Sequence, residues 1–84
     1  MNNQEILLSI SNTLKKIFND KNLKIDLNTC ANDIKKWDSL NHIKVIIEIQ
    51  KNLGIKINSS DIHKYTSVKD FIKLKNQQSE NDKK

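Results

Sequence analysis

Two stretches of the chain repeat apolar residues every three or four positions, and that spacing constrains the fold more than any other feature. In the first, Ile6, Leu7, Ile10, Leu14, Ile17 and Phe18 make one stripe, which predicts an amphipathic helix over about residues 3–19. Asn2, with Glu5 three positions on, resembles a capping arrangement at its start. In the second, the spacing predicts a helix from Asp38 or Ser39 to about Leu53, ended by the lone glycine, Gly54. Between them, from Asp20 to Trp37, the periodicity dissolves. That long connection carries Leu23, Ile25, Leu27 and Ile34 as residues placed to pin it to a core. Loops of such length are uncommon in compact domains and are often functional.

After Gly54, "NSSDIHKY" fits one or two helical turns capped by Ser59 or Ser60. Ser67 and Asp70 form an S-x-x-D box that opens a last helix through Val68, Phe71, Ile72 and about Leu74. "IKI" at 55–57 can be extended, but no strand is required. The order predicts an all-α four-helix bundle with a long loop between helices 1 and 2 and a short third helix. Residues 1–75 are read as one helical domain, and the polar residues 76–84 as a disordered tail.

The 84-residue chain has room for a single core and is too small to wall off a deep active site. One cysteine, Cys30, cannot form an internal disulfide, which suits a reducing compartment. The start of the chain does not read as a signal peptide, and no apolar run approaches the roughly 20 residues that span a bilayer. A soluble, cytoplasmic monomer is expected. The net charge of +5 invites a nucleic-acid reading, a small basic helical module. Against it, part of the excess lies in the tail, and arginine, the favoured residue for bidentate phosphate and guanine contacts, is absent. No nucleic-acid partner is expected.

On a wheel at 100° per residue, Asn41, Lys44, Glu48, Lys51 and Asn52 fill a polar arc of about 100° on the second helix. Apolar residues occupy most of the rest: Val45, Ile46, Ile49 and Leu53 on one side, Leu40, Ile43 and Ile47 on another. A peripheral helix buries one stripe. The surplus face meets a partner, a ligand or the long loop.

At the start of that helix stands "WDSLNHI", Trp37 to Ile43. Ser39 there is a helix cap, a nucleophile or a site of covalent modification. Asp38 is a good N-cap and could also hold a metal ion or orient a base. Nucleophilic catalysis needs a general base and an oxyanion hole. His42 lies one turn away, but nothing supplies an orienting acid or a pocket, so no catalytic residue is assigned and the protein is not read as an enzyme. A phosphoester on Ser39, by contrast, sits where the helix field stabilises it. His42 falls toward the core side and is expected to pack against the loop. His63 reads as a surface residue and Trp37 as a loop anchor. Cys30 has no companions at zinc-ligand spacing, and no metal site is assigned.

"DIKKWDSLNH", Asp33 to His42, opening an isoleucine-rich helix that ends in "LGIKI", resembles the acyl carrier proteins and related phosphopantetheine-binding carriers. The likeness runs from Ile6 to Lys73 and is nearest to discrete carriers of specialised pathways. It implies a bundle of the acyl-carrier type. It implies that Ser39, beside Asp38, receives 4′-phosphopantetheine from coenzyme A through a separate phosphopantetheinyl transferase using Mg²⁺. The arm's thiol would carry an acyl group as a thioester, loaded by an acyl- or aminoacyl-ligase and passed to downstream biosynthetic enzymes. Leu40, Asn41, Ile43, Lys44, Ile47 and Glu48 would face those partners. Lys35 and Lys36 read as solvated loop, with coenzyme A phosphates as the alternative contact. An aminoacyl or peptidyl carrier is the nearest alternative, and a scaffold that has lost its modification a further one. One departure stands out: carriers of this family bear carboxylates along helix 2, whereas here Asn41, Lys44, Gln50 and Lys51 leave Glu48 as the lone acid. That implies dedicated partners with less basic or acidic surfaces.

Overall fold

Helix α1 (Asn3–Ile17) starts where its sequence offers a cap. The Asn2 side chain accepts the Glu5 N–H at 2.8 Å, and the Glu5 carboxylate accepts the Asn2 N–H at 2.9 Å. The helix stops two residues short of the expected end because Asn19 turns left-handed, with φ 52°. Asn19 and Asp20 N–H groups then return to the Lys16 and Lys15 carbonyls at 3.3 and 3.0 Å, satisfying two orphan acceptors of the last turn. The structure, a computed structural model, describes residues 2–82 and side chains as far as Gln78.

Helix α2 (Ser39–Leu53) begins at Asp38, whose side chain accepts the Asn41 N–H at 2.9 Å. It ends at Gly54, at φ 65°. The Gly54 N–H and the Ile55 N–H, the latter at 3.1 Å, both return to the Gln50 carbonyl. Open space surrounds a Cβ at this position, so the requirement for glycine is the backbone angle, not crowding.

The expected short third helix is a single 3-10 segment, Ser59–Lys64. Its cap position is Asn58 rather than Ser59 or Ser60, and no side chain caps it. Helix α3 (Val68–Asp82) opens on Ser67, whose hydroxyl accepts the Asp70 N–H at 3.2 Å, while Asp70 accepts from Thr66 at 3.1 Å. It runs on past Leu74, through residues the sequence assigns to a disordered tail. Along that stretch a pair of hydrogen bonds ties it to the segment after α2: Gln78 accepts the Lys56 N–H and donates to the Lys56 carbonyl, each at 2.9 Å. Asn76 also reaches Asn3, at 3.0 Å. Lys83 and Lys84 lie outside the described residues.

The long loop is tied rather than loose. It contains a short 3-10 turn, Ala31–Asp33, absent from the sequence reading. An isolated antiparallel bridge joins Cys30 to Ser67, with Ala31 N–H on the Thr66 carbonyl at 2.8 Å and Val68 N–H on the Thr29 carbonyl at 3.0 Å. Ile34 and Trp37 are buried and Leu23 and Ile25 half-buried against the core, but Leu27 points outward and pins nothing.

α1 packs against both α2 and α3. The core joins Ile6, Ile10 and Leu14 with Val45, Ile46, Ile49 and Leu53, closed by Val68, Phe71 and Ile72. Each such side chain removed from water contributes about 1.5–3 kcal/mol before entropy is counted. Polar groups inside are paired: the Thr13 hydroxyl donates to the Ser9 carbonyl and accepts from Asn52, both at 2.8 Å. Among the described residues no buried side-chain nitrogen or oxygen lacks a partner.

Candidate functional site

Ser39 is the first residue of α2 and stands exposed. Asp38 claims the Asn41 N–H with its carboxylate and the His42 N–H, at 2.8 Å, with its carbonyl. The N–H groups of Ser39 and Leu40 make no hydrogen bond among the described residues, as expected for the open first turn of a helix. The serine hydroxyl therefore sits at the positive end of a fifteen-residue helix with two free donors beside it.

A shallow hollow of about 310 Å³ adjoins it, lined by Trp37, Asp38, Ser39, His42, His63 and Thr66. Its inner wall is a chain of hydrogen bonds. The Trp37 Nε1–H donates to His42 Nδ1 at 2.9 Å, and His42 Nε2 lies 2.8 Å from the Ile62 carbonyl. An indole nitrogen can only donate and a carbonyl can only accept. His42 is thus the neutral Nε2–H tautomer, tying the start of α2 to the loop on one side and the 3-10 segment on the other. With both nitrogens committed, His42 has none left to take a proton from Ser39. His63 is exposed, as expected, and its ring stacks on His42 at 6.0 Å. Trp37 anchors the loop, 94 % shielded and tilted against Phe18 at 5.9 Å.

On the outer face of α2, Leu40, Ile43 and Ile47 are 70 %, 40 % and 56 % exposed. The loop does not cover them. Lys44 is exposed beside them and Glu48 is half-buried. Asn41 is half-buried too, and its side-chain amide donates to the Lys36 carbonyl at 2.8 Å, so it serves the loop junction. Lys36 is an exposed loop residue, as read, and in addition its ammonium donates to the Phe18 carbonyl at 3.1 Å, favourably placed at the C-terminal end of α1. Lys35 remains exposed. Cys30 is half-buried, and its N–H and thiol both point to one Asp33 carboxylate oxygen, at 3.1 and 3.5 Å.

A groove of about 430 Å³ between α1 and α2 escaped the sequence reading. It is lined by Thr13, Lys16, Ile17, Lys44, Ile47 and Glu48. Only the position of Ile17 at the margin of the α1 stripe hinted at it. Among the described residues no three histidine, cysteine or acidic side chains cluster as metal ligands.

No family model matches the chain, and no curated protein matches it in sequence. Among solved structures, it is similar to the solution NMR structure of a holo acyl carrier protein from Geobacter metallireducens. The two share 26 % identity over 92 % of this chain and 88 % of that one, with a TM-score of 0.76. This chain has the acyl carrier fold. The acyl carrier likeness extends over most of the chain, and it supports a carrier role. No helix in the described part of this acyl-carrier-like chain is long and apolar enough to cross a membrane.

Proposed function

We propose that the protein is an acyl carrier modified at Ser39 with 4′-phosphopantetheine, serving a dedicated set of biosynthetic enzymes. The observation that carries this reading is the exposed Ser39 hydroxyl at the head of α2, with the Ser39 and Leu40 N–H groups unclaimed and an open hollow alongside. A phosphodiester on that oxygen fits the donors present: two backbone N–H groups and the helix dipole favour an anion. When attached, the group supplies a terminal thiol that holds cargo as a thioester. The chain's own residues do the rest. Asp38 holds the first turn and so fixes where the serine points. Trp37 and His42 stiffen the junction beneath it, so that the attachment point does not move with the loop. Leu40, Ile43 and Ile47, with Lys44 and Glu48 flanking, are the face offered to the phosphopantetheinyl transferase, the loading ligase and later enzymes. The carrier performs no bond-making of its own; it raises the local concentration of the tethered cargo at each enzyme.

The test is intact mass after incubation with coenzyme A, Mg²⁺ and a phosphopantetheinyl transferase. The parent chain gains one phosphopantetheine and Ser39→Ala gains none. If the transferase encoded in the same genome leaves the parent mass unchanged, the carrier reading is wrong.

A further inference from the structure

The groove between α1 and α2 has an occupant its chemistry can specify. Its lining joins Lys16 from the last turn of α1 and Lys44 from α2 with the apolar Ile17 and Ile47, and Glu48 is its one acidic residue. Ile47 is shared with the exposed stripe Leu40–Ile43–Ile47, which runs about 10 Å along α2 from the residue after Ser39. Lys51, seven positions beyond Lys44, continues the cationic edge on the same side of the helix. The only ion pair among the described residues joins Lys64 and Asp61 at 3.2 Å, so neither groove lysine is neutralised. Glu48 is four residues C-terminal to Lys44, the less favourable order for a helical pair. The Asp38 carboxylate, the other acid near the stripe, is occupied by the Asn41 N–H.

We infer that this groove is a docking site for an enzyme surface that carries carboxylates beside an apolar anchor, with Lys16 and Lys44 receiving the carboxylates and Ile47 the anchor. The inference rests on the carrier reading of Ser39 and adds to it a second element, α1, and the sign of the partner's charge. A protein partner is favoured over a nucleic acid because Ile17, Ile47 and the adjoining stripe are apolar and arginine is absent. It is favoured over a lipid surface because the exposed apolar stripe is only three residues, Leu40, Ile43 and Ile47, short of the extended apolar face by which a helix lies in a bilayer interface. Complementary charge at a rim acts on association, so the signature is a salt-dependent encounter rate.

The experiment uses two phosphopantetheinyl transferases, one with an acidic carrier-docking face and one with a basic face, each with coenzyme A and Mg²⁺. Initial rates of mass gain at low carrier concentration are compared for the parent, K16E, K44E, K16E/K44E, K69E and Ser39→Ala. With the acidic-faced enzyme, K16E/K44E is modified about tenfold more slowly than the parent, and added salt closes the gap. The basic-faced enzyme shows the reverse order. K69E, a reversal of an exposed lysine on α3, stays within about twofold of the parent. Equal losses for K69E and for K16E alone reduce the effect to net charge and overturn the groove. Equal rates for all variants other than Ser39→Ala overturn it too, while leaving the carrier reading intact. No mass gain in any variant with either enzyme, nor with the transferase encoded in the same genome, removes the carrier reading instead. Binding of the parent to phosphatidylglycerol vesicles, lost in K16E/K44E, assigns the groove to a membrane and also overturns the proposal.

Discussion

α2 shows the same residue type in two surroundings. Ile46 and Ile49 are 2 % and 0 % exposed, whereas Ile43 and Ile47 are 40 % and 56 % exposed. Nothing in their chemistry separates the two pairs. The difference is angular: one side of α2 is packed into the core against α1, and the other is left to solvent, with α1 only bordering it at the groove beside Ile47. Hydrophobicity therefore marks Ile43 and Ile47 as residues that want a neighbour, and only the packing shows that this chain does not provide one. The contrast also separates two kinds of requirement, since the inner pair holds the fold and the outer pair is free to meet something else.

Three substitutions put pressure on that contrast. Ile49→Ala deletes buried volume at the meeting of the helices and is expected to cost about 2–5 kcal/mol in denaturant unfolding. A loss below about 1 kcal/mol would mean that the inner face is not the core. Trp37→Phe keeps most of the ring but removes the donor to His42 Nδ1, leaving a buried acceptor unpaired, at a cost of about 1–3 kcal/mol. Nitrogen NMR of the imidazole sharpens this test: in the parent, Nδ1 is the bare nitrogen and Nε2 carries the hydrogen. A ring found in the opposite tautomer would break the junction as described. Ile47→Ala is the smallest: stability is expected to stay within about 0.5 kcal/mol, because the side chain is already in water. The same variant is expected to slow phosphopantetheine transfer, and a stability loss as large as that of Ile49→Ala would erase the distinction between the faces.

Much of this was legible beforehand. The caps at Asn2 and Asp38, the stop at Gly54 and the doubled apolar face of α2 follow from side-chain chemistry acting over three or four residues, the range a sequence shows directly. Ser39 was placed at the head of α2 by the same logic. What was not legible acts across distance. Lys36 reaches Phe18, Cys30 pairs with Ser67, and Gln78 binds Lys56, joining positions 18, 37 and 22 residues apart largely through backbone groups. Backbone carbonyls and N–H groups are alike at every residue, so no pattern announces which will meet. The α1–α2 groove was hidden for a related reason: Lys16 and Lys44 stand 28 positions apart, and only two helices set side by side bring them to one groove. Along the polar part of α3, likewise, Gln78 meets a partner, Lys56, supplied by another segment.

The protein has one tryptophan, and it lines the hollow beside Ser39 with its indole nitrogen bonded to His42. Its fluorescence is therefore a label built in beside the proposed attachment point. Loading of the serine, arrival of an enzyme or release of the 3-10 segment each changes the surroundings of that one ring, and each can be followed in real time by light emission from the unaltered chain.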